Sequence, residues 1–214
     1  MKVFRAETLH DFDYDEIVAL LRGGGIIGFP TDTAYGLGCD PFNESAVDGL
    51  FRLKGRPEAK PILLVIDSIA MAESISRPSE VFHAVAKEFW PGPLTIVVEA
   101  KPVVSGKVTA GTGTIGLRWP VAPIAISMLQ RFGKPITATS ANRTGQPSAI
   151  TADEIRLQFG DGLDALVDGG SLPVRGGSTL LDVTADPPVL LRDGPISYET
   201  LQSFFSGRIR RQVA

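Results

Sequence analysis

Apolar residues recur along this chain in short runs separated by glycine, proline and hydroxyl residues. Phe12, Tyr14, Ile17, Val18, Leu20 and Leu21 fall on one helical face, and Gly23-Gly24-Gly25 should stop that helix. A short continuous run, 26–29, follows with the look of a buried strand. Asn43 predicts the N-cap of a helix carrying Ala46, Val47, Leu50, Phe51 and Leu53, which delivers Lys54 at its C-terminal end. Further strands are expected over 62–66, 94–98, 114–119, 135–139, 165–167, 179–183 and 189–191. Ser68 and Ser79 predict helix starts, the second helix ending at Phe89-Trp90 before Pro91. A helix is expected over 121–132, and another over 197–205. Thr151 with Glu154 is a capping-box pair, so a helix should run from there to Phe159.

Strands and helices interleave irregularly, with strand following strand near Leu94 and Thr179. The fold class this predicts is α/β (α+β), a twisted open mixed β-sheet flanked by helices. One domain is expected over 1–206, followed by a short tail, 207–214, that holds Arg208, Arg210 and Arg211. A solvated terminus or an RNA contact would each suit that tail.

Composition narrows the chemistry. A net charge of −3 argues against strong nonspecific nucleic-acid binding. The lone Cys39 excludes an internal disulfide and a cysteine zinc cluster, and His10 and His83 are too few for a histidine metal site. No apolar run reaches the ~20 residues that span a bilayer, and no signal-peptide core follows Met1. A cytoplasmic protein with no membrane partner and no resident metal is the expectation.

What remains is cations and hydroxyls near strand ends. Lys54 and Arg56 flank Gly55 and precede Pro57. Two cations this close suit a polyphosphate, and they equally suit a helix C-terminus through the macrodipole. The segment 30–38 carries Thr31, Thr33 and Tyr35 beside Gly36 and Gly38. It reads as a loop after a strand, either a ligand crevice or a polar connection, and it is not a P-loop. Ser140 and Asn142 follow another apolar run and could bind phosphate or ribose, or build an Asx-type turn. Ser140 is not expected to act as a nucleophile, because neither histidine stands in an acid–base context. Arg118 and Arg192 complete a set of four cations with Lys54 and Arg56, about the charge that ATP plus an amino-acid carboxylate would need.

These motifs together resemble the YrdC/Sua5 family of threonylcarbamoyl-AMP synthases. The likeness is carried by Pro30-Thr31-Asp32-Thr33 with Tyr35-Gly36-Leu37-Gly38, by Lys54-x-Arg56 and by 90–95. It continues through 116–120, Ser140-x-Asn142, Ser178-Thr179 and 191–194. The resemblance implies a concave electropositive ligand face. It implies ATP, L-threonine and bicarbonate as substrates, Mg2+ with the ATP, and pyrophosphate as co-product. The adenylate would pass to a separate transferase complex that modifies adenosine 37 of tRNA. By that analogy Lys54, Arg56, Ser140 and Asn142 are the catalytic set. Thr31, Arg118, Ala138 and Ser178 would lie on threonine, and Lys54, Thr114, Ser140, Ser148 and Arg192 on ATP. The chain looks like the short, single-domain form. The competing readings are a noncatalytic RNA-binding module of the same fold and a related carbamoyl-adenylate enzyme.

Overall fold

The structure, a computed structural model, describes residues 1–55, 61–173 and 176–212. Strand β1 (Lys2–Arg5) leads into helix α1 (Asp11–Arg22), where the Asp13 carboxylate accepts the His10 backbone N–H at 2.9 Å. Strands β2 (Ile27–Pro30) and β3 (Tyr35–Gly38) form a hairpin, followed by α2 (Glu44–Lys54). Asn43 caps α2 as predicted, accepting the Ala46 N–H at 3.1 Å, and Gly55 ends it in the left-handed region at φ 57°. Then come β4 (Leu64–Val65), α3 (Ile69–Ile75), β5 (Ser76–Arg77), α4 (Glu80–Phe89), β6 (Leu94–Ala100), α5 (Gly106–Thr109) and β7 (Thr114–Arg118). The Ser68 and Ser79 hydroxyls each accept a backbone N–H at 3.2 Å, so both expected caps are present. Helix α6 (Pro123–Phe132) precedes β8 (Ile136–Thr137) and β9 (Thr139–Ser140). The chain continues with α7 (Ala152–Phe159), β10 (Ala165–Asp168), β11 (Thr179–Asp182), β12 (Val189–Arg192), α8 (Tyr198–Phe204) and β13 (Arg210–Arg211).

The mixed sheet is realised as two. A five-stranded sheet has the order β1-β10-β2-β3-β9, and a larger one the order β13-β12-β11-β6-β7-β4-β8, with β5 paired to β6. Parallel and antiparallel pairs alternate along the larger sheet, whereas in the smaller one two parallel pairs are followed by two antiparallel pairs. The run expected as one strand over 135–139 divides between them: β8 pairs with β4 and β9 with β3. Between them Ala138 donates its N–H to the Leu63 carbonyl at 2.8 Å. This one segment therefore stitches the sheets together.

Side-chain alternation sets the layers. In β10, Ala165 and Val167 face a cluster with Ile17, Val18 and Leu21 of α1 and Met128, Leu129 and Phe132 of α6. Leu166 between them faces the larger core, with Leu37, Leu50 and Phe51, and with Ile96 and Leu117 of the other sheet. Three expectations change. Phe12 is 65% exposed and contributes nothing to the core face of α1, whose buried residues begin at Ile17. Residues 35–38, expected in a loop, are the fully buried strand β3; its glycines hid the pattern. The tail is not wholly solvated, because Arg210 and Arg211 pair in parallel with β12.

Gly38 marks a close approach between the two sheets. A Cβ there would lie 2.7 Å from Ile136 Cγ2, 2.7 Å from Phe29 Cε1 and 2.8 Å from the Thr137 carbonyl oxygen. Gly38→Ala is expected to destabilise the protein by about 1–3 kcal/mol through overpacking. Calorimetry should show a melting temperature lower by about 2–12 °C. An unchanged melting temperature would mean that the two sheets have room to separate at this point.

Candidate functional site

The hairpin turn between β2 and β3 is closed by Thr31. Its hydroxyl donates to the Ala34 carbonyl at 2.6 Å and accepts the N–H groups of Thr33 and Ala34 at 3.3 Å. The turn belongs to the smaller sheet, yet it meets the end of β7 in the larger one through Arg118. Arg118 Nη2 donates to Asp32 Oδ1 at 2.6 Å, Nη1 to Thr33 Oγ1 at 2.7 Å and Nε to the Gly92 carbonyl at 3.2 Å. Burial lowers the pKa of this arginine, and the Asp32 carboxylate opposes that fall.

Between the sheets lies a cavity of about 210 Å³. Its lining includes Thr31, Arg118, Ala138, Ser140, Ser178 and Arg192, all singled out in the sequence. Ser178 Oγ lies 2.5 Å from Thr95 Oγ1, a fully buried hydroxyl on β6. Arg192 stands at the rim and donates from Nε and Nη2 to the Ser178 carbonyl at 3.1 and 2.8 Å. Removal of its guanidinium from water and the repulsion of Arg118 both lower its pKa. The described lining holds these two guanidiniums and no carboxylate, together with the apolar side chains of Leu63, Leu64, Val65 and Leu180. A cluster of hydroxyls beside two cations, walled by aliphatic groups, is suited to a small anion with an apolar part.

Lys54 stands in the last turn of α2, where the sequence reading puts it. It is buried, and its ammonium reaches across to the backbone carbonyls of Ser140 and Asn142, the latter at 2.8 Å. Ser140 Oγ donates to Asn142 Oδ1 at 2.5 Å, and Asn142 Nδ2 donates to the carbonyls of Arg143 and Gln146 at 3.0 and 2.8 Å. The Lys54, Ser140 and Asn142 side chains are thus brought together, with Ser140 on the cavity wall. Arg56 lies outside the described residues. Ser148 precedes Ala149, whose backbone bonds to Ala141 and Tyr35 beside β9. Thr114 is not in the cavity lining; it sits at the opposite end of β7 from Arg118, with its hydroxyl 3.0 Å from that of Thr112.

Sequence reading assigned no role to Thr95, Asp32 or Thr33, although all stand inside the motifs it quoted. Period-two alternation along β6 could have pointed to Thr95, since a hydroxyl at a fully buried strand position needs a partner. No histidine lines the cavity among the described residues, and Cys39 is fully buried with its thiol raised to about 11 by burial.

Residues 19–194 match a family model for Sua5, YciO and YrdC, described as telomere recombination. The chain belongs to this family. It is 35% identical over 206 residues to a threonylcarbamoyl-AMP synthase of Pyrococcus abyssi, covering 95% of this chain and 60% of that one. It is 37% identical over 198 residues to the threonylcarbamoyl-AMP synthase of Bacillus subtilis, covering 92% of this chain and 57% of that one. The chain therefore spans about 60% of the length of these curated relatives. Among solved structures, Pyrococcus abyssi Sua5 complexed with L-threonine aligns with a TM-score of 0.93 at 34% identity, over 99% of this chain and 62% of that one.

The Lys54 contacts carry a consequence for stability. Lys54→Met keeps the stem's bulk and leaves two carbonyls without their cationic donor. A loss of about 1.5–3 kcal/mol is expected, the range for hydrogen bonds to charged groups. Urea unfolding with an unchanged slope would measure it. Stability equal to that of the unmodified protein would show that the ammonium is not holding the 140–142 segment.

Proposed function

We propose that this chain is an L-threonylcarbamoyladenylate synthase: a nucleotidyltransferase that joins L-threonine, bicarbonate and ATP. The observation that carries the reading is the cavity itself. It gathers Thr31, Arg118, Ala138, Ser140, Ser178 and Arg192 in one place and, among the described residues, offers no histidine or thiol. The threonine-bound relative of the same fold supports it.

The chemistry suits such a wall. Threonine's amine takes up CO2 to form an N-carboxylate, losing a proton. One oxygen of that carboxylate attacks the α-phosphorus of ATP, the bond from the α-phosphorus to the bridging oxygen breaks, and pyrophosphate leaves. The nucleophile belongs to the substrate, so the protein needs only to position and neutralise. In this reading Arg118 grips the amino-acid carboxylate, with Thr31 and Ser178 around it, and the short side chain of Ala138 leaves room. Arg192 and Ser140 face the nucleotide, and Lys54 sets the 140–142 backbone under it. Arg56, Asn142, Thr114 and Ser148 are assigned to the phosphates and nucleoside by family resemblance. Mg2+ would arrive on the ATP. In this reading the ion would be held by phosphate oxygens and water and would supply charge neutralisation there. Cytoplasmic action is part of the proposal; no described helix is long and apolar enough to cross a membrane.

Pyrophosphate should form only when ATP, threonine, bicarbonate and Mg2+ are present together, with the adenylate detected by mass spectrometry. Equal release of pyrophosphate without threonine would refute the assignment.

As the family resemblance implies, a separate transferase complex is proposed to consume the adenylate and modify tRNA. The protein with its substrates and unmodified tRNA should yield adenylate and no modified nucleoside. Adding the transferase complex should produce the nucleoside; its efficient formation by this chain alone would contradict the hand-off.

A further inference from the structure

Asp32 grips the Arg118 guanidinium from the side away from the cavity, while Thr33 holds it at the cavity wall. Arg118, Thr31 and Thr33 line the cavity, whereas Asp32 does not. Asp32 instead borders a separate depression beyond the turn, with Pro30, Ala122, Pro123 and Gly169. Its carboxylate meets Arg118 Nη2 at 2.6 Å, and the two side chains are 19% and 9% exposed. A carboxylate on the cavity side would compete with an incoming carboxylate for the same donors; one behind the arginine does not.

Donor counting strengthens the distinction. A guanidinium has five N–H groups. Asp32, Thr33 and the Gly92 carbonyl take one from each nitrogen. One N–H remains on Nη1 and one on Nη2, the number a carboxylate accepts from an arginine fork. The neighbouring Arg192 has no carboxylate partner among the described residues, so its like charge disfavours a charged Arg118 beside it. Asp32 supplies the opposing charge.

We propose that Asp32 is a positioning residue for the cavity's carboxylate subsite: it fixes Arg118 from behind and leaves two N–H donors for the amino-acid carboxylate. The inference rests on the reading of the cavity as an amino-acid site. Its prediction separates binding from chemistry. Asp32→Ala is expected to raise KM for threonine about tenfold or more, with kcat within about threefold and KM for ATP unchanged. Asp32→Asn keeps the acceptor oxygen and should recover most of the loss. An unchanged KM for threonine, an equal rise in KM for ATP, or no recovery with Asn would overturn the proposal.

A second measurement stands apart from turnover. The Nε–Hε resonance of Arg118, assigned by its absence in Arg118→Lys, should be sharp in the unmodified protein and shifted or broadened in Asp32→Ala. Thermal melts would show that both variants are folded. An unchanged resonance overturns the positioning role whatever the substrate. Absence of threonine-dependent pyrophosphate from the unmodified protein, with the resonance responding as expected, would instead remove the functional reading and leave the geometry standing.

Discussion

A buried guanidinium at the junction of two sheets constrains everything around it. Arg118 ends a strand of the larger sheet, and two of its partners, Asp32 and Thr33, come from the hairpin turn of the smaller one. A charge taken out of water must be paired and hydrogen-bonded or it destabilises the fold. The turn must therefore close tightly, as Thr31 ensures, and the loop at Gly92 must present a carbonyl. The cavity is bounded where these contacts tie the turn of one sheet to a strand end of the other, and by the 136–140 segment, whose strands β8 and β9 are edge strands of the two sheets.

The same division of labour recurs in the second cluster. Lys54 looks like a free cation at a helix end, but its ammonium is spent on the backbone of the segment that carries Ser140 and Asn142. Its charge still contributes to the field of the site while its hydrogen bonds serve architecture. Arg192 differs: its hydrogen bonds go to Ser178, and its charge is balanced by no neighbouring acid among the described residues. A site with one arginine neutralised from behind and another left uncompensated is prepared for anionic ligands without a side-chain nucleophile. That is what the proposed adenylate chemistry asks of a protein.

Local patterning was enough for the helices and most strands. Asn43, Ser68, Ser79 and Thr151 all cap as their types predict, because a cap depends on a hydroxyl or amide and the next three residues alone. The family motifs likewise named about half of the described cavity lining, its hydroxyls and arginines above all, before any geometry was known. Strand β3 escaped because Gly36 and Gly38 remove the side chains on which alternation is read, and the pressure that selects them comes from Phe29 and Ile136 on other strands. Phe12 was placed on the wrong side because helical periodicity cannot say where the core ends.

Local patterning sufficed for most element types, the caps, the mixed α/β class and the chemical character of the site: hydroxyls and cations without a nucleophile. Only the tertiary structure decided that the sheet is two sheets sharing one strand segment, that Lys54 bonds to a backbone 86 residues away, and that Asp32 stands behind Arg118. The reason is physical. Capping and periodicity are local free energies written within a few residues, whereas the pairing of a buried charge depends on which distant groups folding brings within hydrogen-bond reach.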